Sequence, residues 1–313
     1  MHDHEHHHHH DDVSTNDIPV EYQTICPVTG DAIDTREAEK LSHFRDVEGK
    51  RIYFCCSTCV QLFDKDPEQY TEHHLGHGHH HHIPTTGTLR LNEKEHLTDN
   101  VWAFRFVADY PLSWTPGQFI RIEIPHDNPD EEGTKRWFTI SSTPHDGFIQ
   151  VTTRVTDTTF KQALVSLEIG DEVHLIEQPD GDFVWQESDK PLVFVAGGIG
   201  ITPFYSMLKA RGHSGQPVSA TLIYNGRSNE LPFKTEFEEA SKRHPEFTVC
   251  YVIGEPLTAE KLTELVPEIN SSQVYISGPE TMVETLGKQL EDKGLASDNL
   301  HQDFFPHYTE ANY

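Results

Sequence analysis

The stretch "LVFVAGGIGITPFYSML", Leu192–Leu208, decides how the second half of this chain folds. Five apolar residues run without a break into paired glycines, as in a strand buried on both faces. Thr202 and Pro203 then mark the entry of a helix. Gly197, Gly198 and Gly200 allow the backbone to approach a ligand closely, and the free amides of the helix start favour a phosphate. A glycine turn after a strand is also the ordinary form of a tight βα connection, so the turn alone leaves both readings open.

Downstream, strand and helix alternate. "SATLIYNG" precedes "PFKTEFEEASKRH", "FTVCYVIG" precedes "TAEKLTELVP", and "QVYISGP" precedes "ETMVETLGKQLEDKG". Apolar strands between amphipathic helices predict a doubly wound α/β parallel sheet over residues 189–313. Upstream, residues 86–188 read as short strands with turn residues between them: "GTLRLNEKEHL", "VWAFRFVA", "QFIRIEI", "RWFTISS", "FIQVTTRV" and "DEVHLIEQ". Their spacing predicts a six-stranded antiparallel β-barrel.

At 313 residues the chain exceeds one ordinary core, so a multidomain protein is expected. Lys plus Arg number 24 against 51 Asp plus Glu, a net charge of -27. Such a surface repels nucleic acid and anionic membranes, which removes both as partners. No apolar run is long enough to span a membrane, and the start "MHDHEHHHHHDD" lacks the pattern of a secretory signal, so a cytoplasmic location is expected.

"RWFTISSTP", Arg136–Pro144, resembles the flavin-binding strand of the ferredoxin-NADP reductase family. Further likenesses follow in that family's order: "TDTTFKQAL" (Thr156–Leu164), "GDFVW" (Gly181–Trp185), the glycine turn, "YISGPETM" (Tyr275–Met282) and "DFFPHY" (Asp303–Tyr308). The resemblance covers residues 86–313. It implies an NAD(P)H-dependent FAD oxidoreductase that passes hydride from nicotinamide to flavin and electrons onward. By the same resemblance, Arg136 holds the flavin phosphates, Trp137 fills the motif's variable place within the cofactor-binding strand, Phe138 packs against the isoalloxazine, and Thr139 hydrogen-bonds near the hydride-accepting nitrogen. Thr158 or Thr159 receives the flavin pyrophosphate. Gly197, Gly198, Gly200 and Thr202 receive the dinucleotide, while Ser277, Gly278 and Pro279 line the nicotinamide pocket. Phe304 or Phe305 covers the flavin face. Thr139, Ser277 and Phe305 are the catalytic candidates. Two residues depart from the common pattern: Ser277 stands where many relatives have cysteine, and Phe138 replaces a frequent tyrosine. FAD is expected rather than FMN. Arg227 with Ser228, at the end of the second strand of the nucleotide half, favours NADPH over NADH by offering a seat for a 2′-phosphate.

The first 85 residues have a different composition. Residues 1–20 form a histidine- and acid-rich tail, expected to be disordered, and residues 73–85 form a second histidine-rich stretch that serves as a linker. Between them, "YQTICPVTG" and "RIYFCCSTCVQLFDKDPEQY" resemble the YHS domain, a small α+β metal-associated module, over residues 21–72. In that likeness Cys26, Cys55 and Cys59 are the thiolates for zinc, copper or iron, with Cys56, His43 or a water as the fourth ligand. Cys56 stands where many relatives carry a non-ligand residue. A reversible dithiol and a metal-free interaction module stay open as alternatives, and Cys250 reads as a core residue.

Three functions follow. The leading one is a flavoprotein reductase whose electrons go to a metal ion gathered by the His/Cys-rich N-terminal region. The second is a reductase of a small redox carrier such as a ferredoxin or flavodoxin, with the metal module only docking or regulatory. The third is a metal-handling or sensing protein with a vestigial reductase.

Overall fold

The computed structural model describes residues 23–27, 32–47, 50–54, 59, 60, 63, 64, 67, 87–110 and 112–304. The chain separates into two compact units, 1–85 and 86–313. The histidine-rich tail and linker, Cys55, Cys56 and Phe305 lie outside the described residues.

In the first unit β1 (Gln23–Ile25) pairs antiparallel with β2 (Ala32–Asp34), which leads into α1 (Thr35–Lys40). β3 (Phe44–Val47) and β4 (Lys50–Tyr53) form a second hairpin. Cys26, Ile33, Ala38, Phe54, Cys59, Val60 and Phe63 make one small core, in which the Phe54 and Phe63 rings are 5.0 Å apart. The ion pairs Arg45–Asp64 and Arg51–Asp46 lie on the surface, where water weakens them, so apolar burial is the main stabilising term here.

The second unit begins with an antiparallel sheet. β5 (Gly87–Thr98), β6 (Val101–Ala108), β7 (Phe119–Glu123), β8 (Lys135–Thr139), β9 (Ile149–Arg154) and β10 (Glu172–Asp180) lie in the order β8-β7-β10-β5-β6-β9. The sequence predicts a closed barrel; the structure is a curled sheet. Its end strands β8 and β9 share no ladder; just past β8 the chain meets β9 through the isolated Ile140–Val151 bridge and through hydrogen bonds of Ser141 and Ser142 to Gln150 and Thr152. The physical reason is the shortness of β8, after which the chain turns into a 3-10 helix at Pro144–Asp146. Register shifts in β5 after Leu91 and His96 bend the sheet around an apolar interior that includes Leu89, Phe104, Phe106, Ile120 and Val173. α2 (Thr159–Ser166) lies against this interior through Phe160 and Leu164. Lys94 Nζ fastens the end of α2 by donating to the carbonyls of Val165 and Leu167.

The nucleotide half is a five-stranded parallel sheet, as expected. β11 (Leu192–Gly197), β12 (Ala220–Gly226), β13 (Phe247–Ile253), β14 (Gln273–Ser277) and β15 (Leu300–Asp303) stand in the order β13-β12-β11-β14-β15. The helices are α3 (Thr202–Ser214), α4 (Lys234–Arg243), α5 (Ala259–Leu265) and α6 (Glu280–Asp292). Every residue of β11 is buried because helices cover both faces of the sheet. Phe194 and Ala196 enter a cluster with Phe204, Tyr224 and Tyr275, while Val193 and Val195 enter one with Ile223, Leu262 and Val283. Each fully buried aromatic contributes roughly 2–3 kcal/mol by leaving water.

The two halves of this unit interlock. Phe183, from the β-half, belongs to the nucleotide core, 5.4 Å from the Tyr275 ring. The Gly117 N–H donates to Ser206 Oγ at 3.0 Å, and Asp146 pairs with Lys209 at 2.8 Å. No described helix is long and apolar enough to cross a membrane.

Candidate functional site

Strand order reverses between β11 and β14, and a crevice opens at the carboxyl ends of the strands there, the usual seat of a ligand in such sheets. The glycine turn forms one lip. Gly198 has φ +56°, and a 3-10 turn over Gly198–Ile201 runs straight into α3. Gly200 is required for a different reason: a Cβ there would stand 2.3 Å from the Ser277 carbonyl oxygen. No side chain caps the start of α3, and Thr202 Oγ1 donates instead to the Ile199 carbonyl at 3.1 Å. Thr202 thus ties the turn, and the amides and dipole of the helix start face the ligand side unopposed by a capping side chain.

A cleft of about 600 Å³ lies over this lip, bordered by Gly197, Gly198, Pro279 and Met282 and, from the β-half, by Asn100 and Arg154. Arg227, Ser228 and Glu230 stand exposed on its rim. Asn225 Nδ2 donates to the carbonyls of Val252 and Glu255, both at 2.9 Å, which fixes the end of β12 beneath that rim.

Across the switch point, Ser277 ends β14 and Asp303 ends the adjacent β15. Both are buried, and Ser277 Oγ donates to Asp303 Oδ2 at 2.9 Å. Burial first, with repulsion from Asp182, pushes the Asp303 carboxyl up to about 6, against the lowering effect of the serine bond. Between about pH 4 and 6 the folded state therefore binds more protons than the unfolded chain. Stability falls as pH rises through that window, and the penalty, on the order of 3 kcal/mol, is fully present above it. Asp303→Asn keeps an acceptor for Ser277 and removes the ionisation. We expect urea unfolding to show the variant more stable than the parent at pH 8, with the difference gone at pH 4; parallel pH profiles would refute this.

The other constellation lies around β8. Arg136 is 4% exposed, and its Nη1 donates to the carbonyls of Glu132, Gly133 and Lys135 at 2.8, 3.0 and 2.8 Å. Its Nη2 pairs with Asp130 and Glu132 at 3.2 and 2.9 Å. Thr158 is the N-cap of α2, its Oγ1 accepting from the Lys161 N–H, and Thr159 is the helix's first residue. Thr156 Oγ1 is buried with no hydrogen-bond partner among the described residues. A buried guanidinium, a helix start and an orphaned hydroxyl along one segment fit a phosphate-bearing cofactor.

The aromatic pair is placed differently from its expected role. The Phe138 ring is inside the β-half, against Phe160, with the Lys161 ammonium 4.6 Å from its centre. Trp137 points the other way and is half-buried, with the Arg121 guanidinium 4.9 Å from its ring. Thr139 is buried and pairs through its backbone with Phe119. Phe304 is half-buried against the Val193–Val195 cluster.

The structure thus brings Gly197, Gly198, Gly200, Ser277, Gly278 and Pro279 together, gathers Arg136, Thr158 and Thr159 at α2, and leaves Arg227 and Ser228 at the cleft rim. Sequence reasoning missed Asp303, Asp130 and Lys161. Asp303 ends β15, a short polar edge strand that the sequence pattern does not mark. Lys161 is 3% exposed, hydrogen-bonds Thr153, and has its pKa pushed down to about 7 by burial and then by Arg136. In the first unit Cys26 and Cys59 are buried, and no group of three metal-ligating side chains occurs among the described residues.

Residues 194–288 match the family model described as oxidoreductase NAD-binding domain. The chain is 28% identical over 235 residues to flavohemoprotein A of Dictyostelium discoideum, covering 69% of this chain and 59% of that one. It is 28% identical to the glycine betaine monooxygenase reductase subunit of Chromohalobacter salexigens, over 66% of this chain and 61% of that one. It therefore spans about three-fifths of the length of these relatives. The FAD/NAD-binding domain of nitric oxide dioxygenase from Vibrio cholerae superposes with a TM-score of 0.61 at 22% identity, over 70% of this chain and 98% of that one, a likeness of fold.

Proposed function

We propose that residues 86–313 work as a flavoprotein reductase of the ferredoxin-NADP reductase type, taking electrons from NADPH and delivering them to a separate protein acceptor, a reading supported by the NAD-binding family match and by the similar chains. Bound FAD supplies the capacity to accept a hydride and release electrons onward. The chain's own residues bind and orient. The glycine turn and the α3 start hold the dinucleotide diphosphate, and Arg227 with Ser228 receives a 2′-phosphate at the rim. Arg136, Thr158 and Thr159 hold the flavin diphosphate. Ser277, aimed by Asp303, borders the place of the nicotinamide and fixes its approach, and the buried walls of the switch point keep water away.

The observation that carries this reading is the convergence of the glycine turn and the Ser277–Asp303 pair at the switch point. The protein acceptor is favoured because a monooxygenase reductase subunit is among the similar chains. Cys26 and Cys59, both in the small N-terminal core, keep a second reading in view, a metal held by that unit and serving as acceptor or as staple. An absorption spectrum with elemental analysis, followed by anaerobic titration with NADPH and NADH, tests both. We expect a flavin spectrum bleached by NADPH at lower concentration than by NADH. A colourless protein that takes up no added FAD would end the reductase reading, and preparations without stoichiometric metal would end the second.

A further inference from the structure

The loop before β8 carries three acids in a row, Asp130, Glu131 and Glu132, and two of them turn toward Arg136. Asp130 divides its carboxylate. Oδ1 accepts from Arg136 Nη2 at 3.2 Å, and Oδ2 accepts from the backbone N–H of Thr159 at 3.0 Å. Thr159 Oγ1 reciprocates by accepting from the Asp130 N–H at 3.0 Å. The chain's own carboxylate therefore bridges a buried guanidinium and the start of α2, the two donors that a diphosphate would use.

We propose that this acidic loop is an internal stand-in for the flavin diphosphate: Asp130 occupies the Arg136–Thr159 anion seat in the apoprotein and leaves it when FAD enters. The inference rests on the FAD reading above and concerns how that site is loaded. Arg136 is 4% exposed, and a guanidinium so buried needs an anion at all times. Asp130 and Glu132 both pair with this guanidinium. Desolvation opposes ionisation of Asp130, but the Thr159 hydrogen bonds and Arg136 outweigh it and hold the carboxyl below its ordinary value, so the stand-in is anionic at neutral pH. The acids lie between two left-handed residues, Asn128 and Gly133, at φ 51° and +71°, and nothing lies within 4 Å of where a Gly133 Cβ would be.

Affinity for FAD is then the outcome of a contest between two anions, one of them tethered. Weakening the tethered one strengthens the other. The experiment uses the full chain stripped of flavin, with FAD and riboflavin binding followed by quenching of flavin fluorescence, for the parent, Asp130→Asn and Glu132→Gln. Asp130→Asn is expected to bind FAD about tenfold more tightly, about 1.4 kcal/mol, with Glu132→Gln smaller in the same direction. Riboflavin, which has no phosphate, should bind all three alike. FAD affinity unchanged or weaker in both variants overturns the proposal, because the acids would then brace Arg136 for the cofactor rather than compete with it. An equal gain for riboflavin overturns it too. Failure of every form to bind FAD, checked against intact circular dichroism, would instead remove the FAD reading and this inference with it. Glu132 is the more exposed partner, so its variant keeps the test decisive if Asp130→Asn does not fold.

Discussion

Gly200→Ala should lower stability by about 3 kcal/mol or more and abolish dinucleotide binding, whereas Gly197→Ala should be much milder. A Cβ on Gly200 would meet the Ser277 carbonyl oxygen at 2.3 Å, its carbon at 2.5 Å and the Gly278 nitrogen at 2.6 Å. All three are backbone atoms at the end of β14 and the start of the turn after it, so relief requires the glycine turn and that strand end to part at the switch point. A Cβ on Gly197 would meet the flexible end of Met282 at 2.6 Å and the Pro279 ring at 3.2 Å, and the methionine can swing aside. Chemical denaturation with NADPH titration reads both effects. Equal losses in the two variants would show that turn flexibility, and not this contact, explains the glycines.

Arg136→Ala should cost about 3–5 kcal/mol and weaken FAD binding by about 100-fold, because both the fold and the cofactor depend on one guanidinium. Its removal strands three backbone carbonyls and leaves Asp130 and Glu132 facing each other without a cation. Arg136→Lys keeps the charge but not the fork, so it should recover part of the stability and little of the multidentate binding. Thermal melts and flavin retention through gel filtration check this. An alanine variant that melts like the parent and keeps its flavin would refute both roles.

The nucleotide half was legible in the sequence because its strands β11 to β14 are largely apolar and each runs into a helix, whereas β15, Leu-His-Gln-Asp, is short and polar and was not read as a strand. Strands of the β-half were legible too, but closure was not. It depends on how β8 and β9 meet after the chain turns at Pro144, a long-range matter that alternation does not encode. Residues of the candidate site were readable where glycines or hydroxyls mark a turn, as at Gly198 and Thr158. They were hidden where a charged residue goes against type. Asp130 and Glu132 sit in an acid run that reads as a solvated loop, and Lys161 reads as the wet face of a helix. α2 is only eight residues long, however, and its first turn faces inward. Phe138 was assigned to a cofactor surface, yet one-residue alternation along β8 sends it with Arg136 to the interior and leaves Trp137 outside.

Phe183 has a consequence for how such proteins can be assembled. Its ring leaves the β-half to pack between Phe204 and Tyr275, at 5.7 and 5.4 Å. A cut at residue 189 would therefore not yield two exchangeable modules. The nucleotide half would lose a plug from its core and expose an aromatic socket, and the β-half would carry a bare phenylalanine into water. Recombination that respects this structure has to exchange residues 86–313 as one piece, whatever is joined in front of it.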